Sequence, residues 1–246
     1  MGDHVIVANG LTKHYGPVPA VSGLSFEIGP GVTGFLGPNG AGKTTTLQMV
    51  LGLARPDAGT ATIGGQRYAD LPTPSRTVGA VLDSSAFHPG STAVDHLRIV
   101  AAMSGVTRSR VDELIDQLGI RPFAHRRTGG FSTGMRQRLN LATALLGDPP
   151  VLVLDEPSNG LDPAGMAWLR RKLRSLADEG RTVLISSHVL AEIEQVVDRL
   201  LVIAGGRLAA TGSLDELRHP GERLEDLFLR LTDPTFSTTA VTGAPR

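Results

Sequence analysis

Gly37-Pro38-Asn39-Gly40-Ala41-Gly42-Lys43-Thr44 fits the pattern G-x-x-x-x-G-K-[ST], and its surroundings decide how the chain folds. Val32 to Leu36 reads as a buried strand that runs straight into the first glycine. After the loop, Leu47, Val50 and Leu51 fall at i, i+3 and i+4, one face of a helix. Strand, glycine-rich turn and helix in that order form a cradle for a chain of phosphates. Glycine permits close backbone approach and positive φ, so the loop N–H groups can converge on an anion. The start of the helix adds its own positive end. The pattern assigns Lys43 to the β- and γ-phosphates of a nucleotide and the Thr44 hydroxyl to Mg²⁺.

A second element lies more than a hundred residues on. Val151-Leu152-Val153-Leu154 is a central strand in composition, and Asp155-Glu156-Pro157 follows it. Two carboxylates at the C-terminal end of a buried parallel strand stand where open α/β sheets bind ligands. Asp155 suits a Mg²⁺ shell, and Glu156 suits the orientation or deprotonation of a water attacking the γ-phosphate.

Between and around these elements, short apolar strands alternate with helical patterns, as in α/β proteins with a mostly parallel sheet. Strands are predicted at Val5–Val7, Ser25–Ile28, Thr182–Ile185 and Leu200–Ile203, and a turn and strand within Pro56–Arg67. From about Ser84 to Gly147 the pattern is helical. There Ser109-Arg110-Val111-Asp112 resembles a capping box, Val111, Leu114, Ile115 and Leu118 share a face, and Gly119 suits the stop. Further helices are predicted at Ala164–Ala177 and Val189–Val197. The tail after Thr232 is polar, with little to bury, and is expected to be disordered.

Composition narrows the function classes. The 24 basic and 24 acidic residues cancel, which argues against bulk nucleic-acid binding. With no cysteine there is neither a disulfide framework nor a thiolate metal site. The longest apolar runs are too short to cross a bilayer, and the opening Met1-Gly2-Asp3-His4 has no signal-peptide character. Of the 24 basic residues only Lys13, Lys43 and Lys172 are lysines, yet one of them stands in the phosphate loop.

With Phe131-Ser132-Thr133-Gly134-Met135-Arg136-Gln137-Arg138-Leu139 just ahead of the carboxylate strand, the chain resembles the nucleotide-binding domain of ABC transporters over about residues 5–232. The resemblance implies a P-loop NTPase (RecA-like) α/β core, about 1–83 and 148–218, with an N-terminal antiparallel β subdomain. A helical subdomain would be inserted at about 84–147, all within one domain of residues 1–232. It implies ATP and Mg²⁺ as cofactors and Glu156, His188 and Lys43 as catalytic residues. Nucleotide contacts would come from Tyr15, stacked on adenine, and from Gly37, Pro38, Asn39, Gly40, Ala41, Gly42, Lys43, Thr44 and Thr45. Ser132 and Gly134 of the signature, and Asp162 in Ser158-Asn159-Gly160-Leu161-Asp162, would serve across a dimer. Thr44, Asp155 and Asp83 would hold the metal; Asp83 stands where the family carries glutamine.

The Ser-x-Gly-Met-x-Gln-Arg form of the signature, and the closing Leu224–Thr232, are similar to exporter ATPases whose membrane subunit is a separate polypeptide. The resemblance therefore implies a head-to-tail dimer of two copies and a separate membrane permease. It also implies a cytoplasmic location at the inner face of the cell membrane. Phe87-His88-Pro89 is the candidate surface for receiving the permease. An importer subunit remains the alternative of the same fold, and a soluble ABC-type ATPase or a P-loop protein without turnover the alternatives of other classes. The phosphate-loop reading has a direct consequence. Lys43→Ala should weaken ATP binding and hydrolysis together, and Lys43→Arg should not restore them, because a planar guanidinium does not replace a compact ammonium. Titration with ATP and steady-state hydrolysis on both variants measure this.

Overall fold

A computed structural model describes residues 5–82, 87–187 and 194–233. The chain opens with two long antiparallel strands, β1 (Ile6–Tyr15) and β2 (Val18–Ile28), turning at residues 16–17. After β3 (Gly31–Leu36) and α1 (Lys43–Val50), β4 (Ala58–Ile63) returns to pair antiparallel with β1. These strands form a small sheet of order β2-β1-β4. β1 extends well past the predicted Val5–Val7. A register shift between Ala8 and Leu11 breaks its alternation, so the polar stretch Thr12-Lys13-His14 does not read as strand although it pairs as one.

The main sheet has the order β5-β6-β7-β3-β8-β9, with β5 (Val78–Val81), β6 (Val151–Leu154), β7 (Thr182–Ser187), β8 (Arg199–Ala204) and β9 (Arg207–Ser213). All neighbours are parallel except β9, which runs antiparallel to β8. Its central strands bury both faces. Along β6, Leu152 and Leu154 enter one hydrophobic core and Val151 and Val153 the other, the period of two that a strand imposes. The first core is shared with the helices, and the second lies between the two sheets and includes Leu47 of α1.

Three longer helices lie between β5 and β6. With the single turn α2 (Pro74–Thr77) numbered before them, they are α3 (Ala93–Met103), α4 (Arg108–Gln117) and α5 (Thr133–Leu145). The predicted capping box at Ser109 is not the start of α4. Thr107 occupies the cap position with an extended backbone, and Ser109 lies inside the first turn with its hydroxyl on that of Thr107 at 2.8 Å. The stop at Gly119 stands as predicted: Gly119 N–H reaches Asp116 C=O at 3.1 Å and Ile120 N–H reaches Ile115 C=O at 2.8 Å, a Schellman pair. α6 (Pro163–Asp178) joins β6 to β7, and α7 (Leu214–Leu217) and α8 (Leu224–Thr232) close the described chain. The helix predicted at Val189–Val197 falls mostly outside the described residues, as does the tail from residue 234.

β5 reaches its place only because Gly79 has no side chain. A Cβ there would lie 2.1 Å from the Ala144 carbonyl oxygen at the end of α5. Since backbone cannot yield cheaply, Gly79→Ala should destabilise the fold by about 1–3 kcal/mol. Thermal unfolding should register a fall in Tm of several degrees, and an unchanged Tm would mean that α5 is free to move away from β5.

Candidate active site

The order of the main sheet builds the site. β3, β7 and β6 lie side by side, so the loop after β3, the end of β7 and the carboxylates after β6 share one rim. At the first of these, Gly42 takes φ 99° immediately before α1, and a Cβ on it would lie 2.4 Å from the Ala20 carbonyl oxygen. Only glycine fits a positive φ with backbone so close. The turn aims the first N–H groups of α1, which have no partner within a helix, into an open cleft of about 400 Å³. Ala20, Gly40, Lys43, Thr44, Glu156 and Asn159 are among its walls.

Lys43 is buried, and its Nζ donates to the carbonyls of Gly37 at 2.6 Å and Pro38 at 3.3 Å. Burial pulls its ammonium below the ordinary lysine range, and the carboxylates of Glu156 and Asp155 pull it part of the way back. Thr44 Oγ1 donates to Asp155 Oδ2 at 2.8 Å, which ties the phosphate loop to the carboxylate strand. The Asp155 N–H donates to Val81 C=O at 2.7 Å. Glu156 follows with φ 49°, a conformation uncommon for any residue but glycine, and turns into the cleft.

The sequence reading missed Ser186. This residue is fully buried on β7 between the other two strands. Its hydroxyl donates to Asp155 Oδ1 and accepts the Glu156 N–H at 2.9 Å. One side chain thus orients both carboxylate residues. The available signal was a pair of serines closing an otherwise apolar strand, where a buried hydroxyl needs partners. Asn159 was quoted only as part of a loop; it lines the cleft.

Residues 21–159 match the protein family described as "ABC transporter". The chain belongs to the ABC transporter family. It is an ATP-binding, ATP-hydrolysing member. Residues 127–194 also match a family described as "AAA domain, putative AbiEii toxin, Type IV TA system". The "Bacitracin transport ATP-binding protein BcrA" of Bacillus licheniformis is 40% identical over 218 residues, which is 87% of this chain and 71% of that protein. The "Nod factor export ATP-binding protein I" of Burkholderia orbicola is 43% identical over 214 residues, 82% of this chain and 69% of that one. A solved ATP-binding subunit of an ABC transporter superposes with a TM-score of 0.84 at 28% identity, covering 92% of this chain and 99% of its own. A dimeric bacterial ABC cassette shares the fold at a TM-score of 0.77 and 24% identity, covering 85% of this chain and 98% of its own.

In this ABC ATPase Ser132, Gly134 and Asp162 do not line the cleft over the phosphate loop. Ser132 caps α5, its Oγ accepting the Met135 N–H at 3.3 Å, and neither it nor Gly134 lines the phosphate cleft. Asp162 caps α6, accepting the Gly165 N–H at 2.7 Å. Between the cleft and the α5 cap runs one short segment: Glu156 and Asn159 line the cleft, while Gly160 faces Thr133 and Leu161 faces Gly134. Tyr15 stands at the end of β1 with 53% of its surface exposed. Asp83 and His188 lie outside the described residues. Phe87 is buried, with its ring edge-to-face on His96 at 4.8 Å. It forms one wall of a groove of about 300 Å³ with Leu53, Tyr68 and Leu82. No helix among the described residues is long and apolar enough to cross a membrane.

The position of Ser186 yields a prediction. Ser186→Ala removes the hydroxyl that accepts the Glu156 N–H and that donates to Asp155 Oδ1, while Thr44 still donates to Oδ2. A buried polar group left unpaired costs about 1–3 kcal/mol. If that cost falls on the aligned carboxylates, kcat should drop about tenfold while ATP affinity changes little. Steady-state kinetics with a parallel binding titration test this, and an unchanged kcat would make Ser186 only a structural residue.

Proposed function

We propose that this ATPase subunit powers a separate membrane permease, most simply as an exporter of a drug, antibiotic or similar compound. The bond from Thr44 to Asp155 carries the catalytic part, because it joins the phosphate loop and the carboxylate strand in one site that Glu156 also faces. The Lys43 ammonium balances charge on the β- and γ-phosphates, and the N–H groups of the loop and of the first turn of α1, from Asn39 to Thr45, hold them in place. Glu156 accepts a proton from the attacking water, and His188, directly after β7, contacts the γ-phosphate. Tyr15, exposed at the end of β1, stacks on the adenine.

The donor set near Thr44 fits Mg²⁺. A hydroxyl and a carboxylate oxygen 2.8 Å apart are hard ligands, and Mg²⁺ takes few protein ligands beside water and phosphate. Thr44 and Asp155 would hold it, with Asp83 as a third oxygen. When bound, it neutralises β- and γ-phosphate charge. Among the described residues no cluster of three His, Cys, Asp or Glu competes for it.

A second copy completes each site. The chain has one phosphate loop and one signature segment, and Ser132 and Gly134 do not line its own cleft. A head-to-tail, two-fold pair would supply Ser132, Gly134 and Asp162 from the partner, and one solved cassette of this fold is described as dimeric. The groove beside Phe87 suits a segment of the permease, which would hold the subunit at the cytoplasmic face of the cell membrane. The chain divides into a core of about 1–83 and 148–218 and a helical part of about 84–147. Export is supported by the relatives named for bacitracin transport and Nod factor export.

Glu156→Gln tests this reading. The amide keeps the shape and cannot take a proton, so hydrolysis should fall by about a hundredfold or more while ATP still binds. The protein should then accumulate as a dimer with Mg-ATP, read by light scattering after size-exclusion chromatography. Normal turnover would remove Glu156 from the mechanism, and a monomer with ATP bound would overturn the paired site.

A further inference from the structure

The backbone leading to Tyr15 is held by an aspartate that no catalytic step uses. The ladder between β1 and β4 ends at Thr12 and Ala58, so residues 13–15 have only β2 beside them. Asp57, just ahead of β4, takes over from the ladder. Its N–H donates to Thr12 C=O at 2.8 Å. Its carboxylate accepts the His14 N–H at 2.7 Å and the Lys13 Nζ at 3.0 Å, and lies 3.4 Å from His14 Nδ1. Lys13 Nζ also donates to Arg55 C=O at 2.8 Å. So fixed, that ammonium stands 5.8 Å from the centre of the Tyr15 ring, within cation–π range.

Three consecutive residues leading to Tyr15 are therefore bound to one side chain and its own peptide group. The tyrosine itself is more than half exposed and has little packing to fix its height. An aromatic platform adds affinity only if its plane is already in place when the base arrives, since ordering it afterwards offsets part of the gain. We propose that Asp57 is a positioning residue for base recognition: it sets the Tyr15 ring where the nucleotide base stacks. The charge matters less than the geometry, because exposed ion pairs are weak and the bond to the His14 peptide is what fixes the backbone. The His14 N–H, and after it Lys13, hold the Asp57 carboxyl below its ordinary range, so the clamp is charged at neutral pH.

This inference rests on the reading of Tyr15 as the base platform, and the test separates the two. KM for ATP, kcat, and inhibition by inorganic tripolyphosphate, which has no base, are measured for wild type, Tyr15→Ala, Asp57→Ala, Asp57→Asn and the double variant Tyr15→Ala/Asp57→Ala. Tyr15→Ala should raise KM about tenfold, within the range of a base–aromatic stack. Asp57→Ala should raise it about threefold to fivefold with kcat retained at saturating ATP and with the tripolyphosphate Ki unchanged. In the Tyr15→Ala background it should add nothing. Asp57→Asn keeps an acceptor for the His14 N–H and should lie close to wild type. If Tyr15→Ala raises KM and neither Asp57 variant does, the clamp is refuted and the platform stands. If Tyr15→Ala leaves KM unchanged, the platform fails and the clamp with it. An Asp57→Ala effect that persists without Tyr15, or that also weakens tripolyphosphate, would assign Asp57 to general stability or charge and overturn the proposal.

Discussion

The Asp155 carboxylate accepts one hydroxyl from Thr44, in the first turn after the phosphate loop, and another from Ser186, on the strand between. Because β3, β7 and β6 are neighbours, this chain of hydrogen bonds fastens the rims of three parallel strands to one another. The cleft, the turn of Glu156 and the start of α1 all take their positions from it. Hydrogen bonds to an ionised acceptor are stronger than neutral ones. The Ser186 donor is fully buried, so water does not readily replace it.

What surrounds this core carries its geometry outward. The segment from Glu156 to Asp162 begins in the cleft and ends as the cap of α6, touching the start of α5 on the way through Gly160 and Leu161. A change at the carboxylates is thus only a few residues from the Ser132 cap. On the other side, the small antiparallel sheet packs over α1 and presents Ala20 towards the loop. The hydrophobic core between the sheets therefore supports the phosphate loop from below, while the helix-side core supports the carboxylate strand.

Relatives named for moving bacitracin and for exporting Nod factor share the ATPase part and differ in what their names say is moved. That pattern fits a division of labour in which the cargo is read elsewhere.

Taken alone, the residues determined the strand–loop–helix of Gly37–Thr44, the carboxylates at the end of an apolar strand, and the alternation that makes the sheet parallel. These are local patterns, set by backbone sterics and by burial that repeats every two or every three to four residues. The stop at Gly119 was legible for the same reason, whereas α4 starts after Thr107 rather than Ser109, and the Thr107 hydroxyl caps no N–H but bonds that of Ser109, so the local capping rule did not rank the two. Tertiary structure alone decided that β7 lies between β3 and β6. From that neighbourhood follow the role of Ser186, the bond from Thr44 to a residue 111 positions away, and the hold of Asp57 on His14 across 43 positions. Such contacts have no period along the chain. They exist because strand order in a sheet is fixed by the packing of its two faces, which no local window of sequence contains.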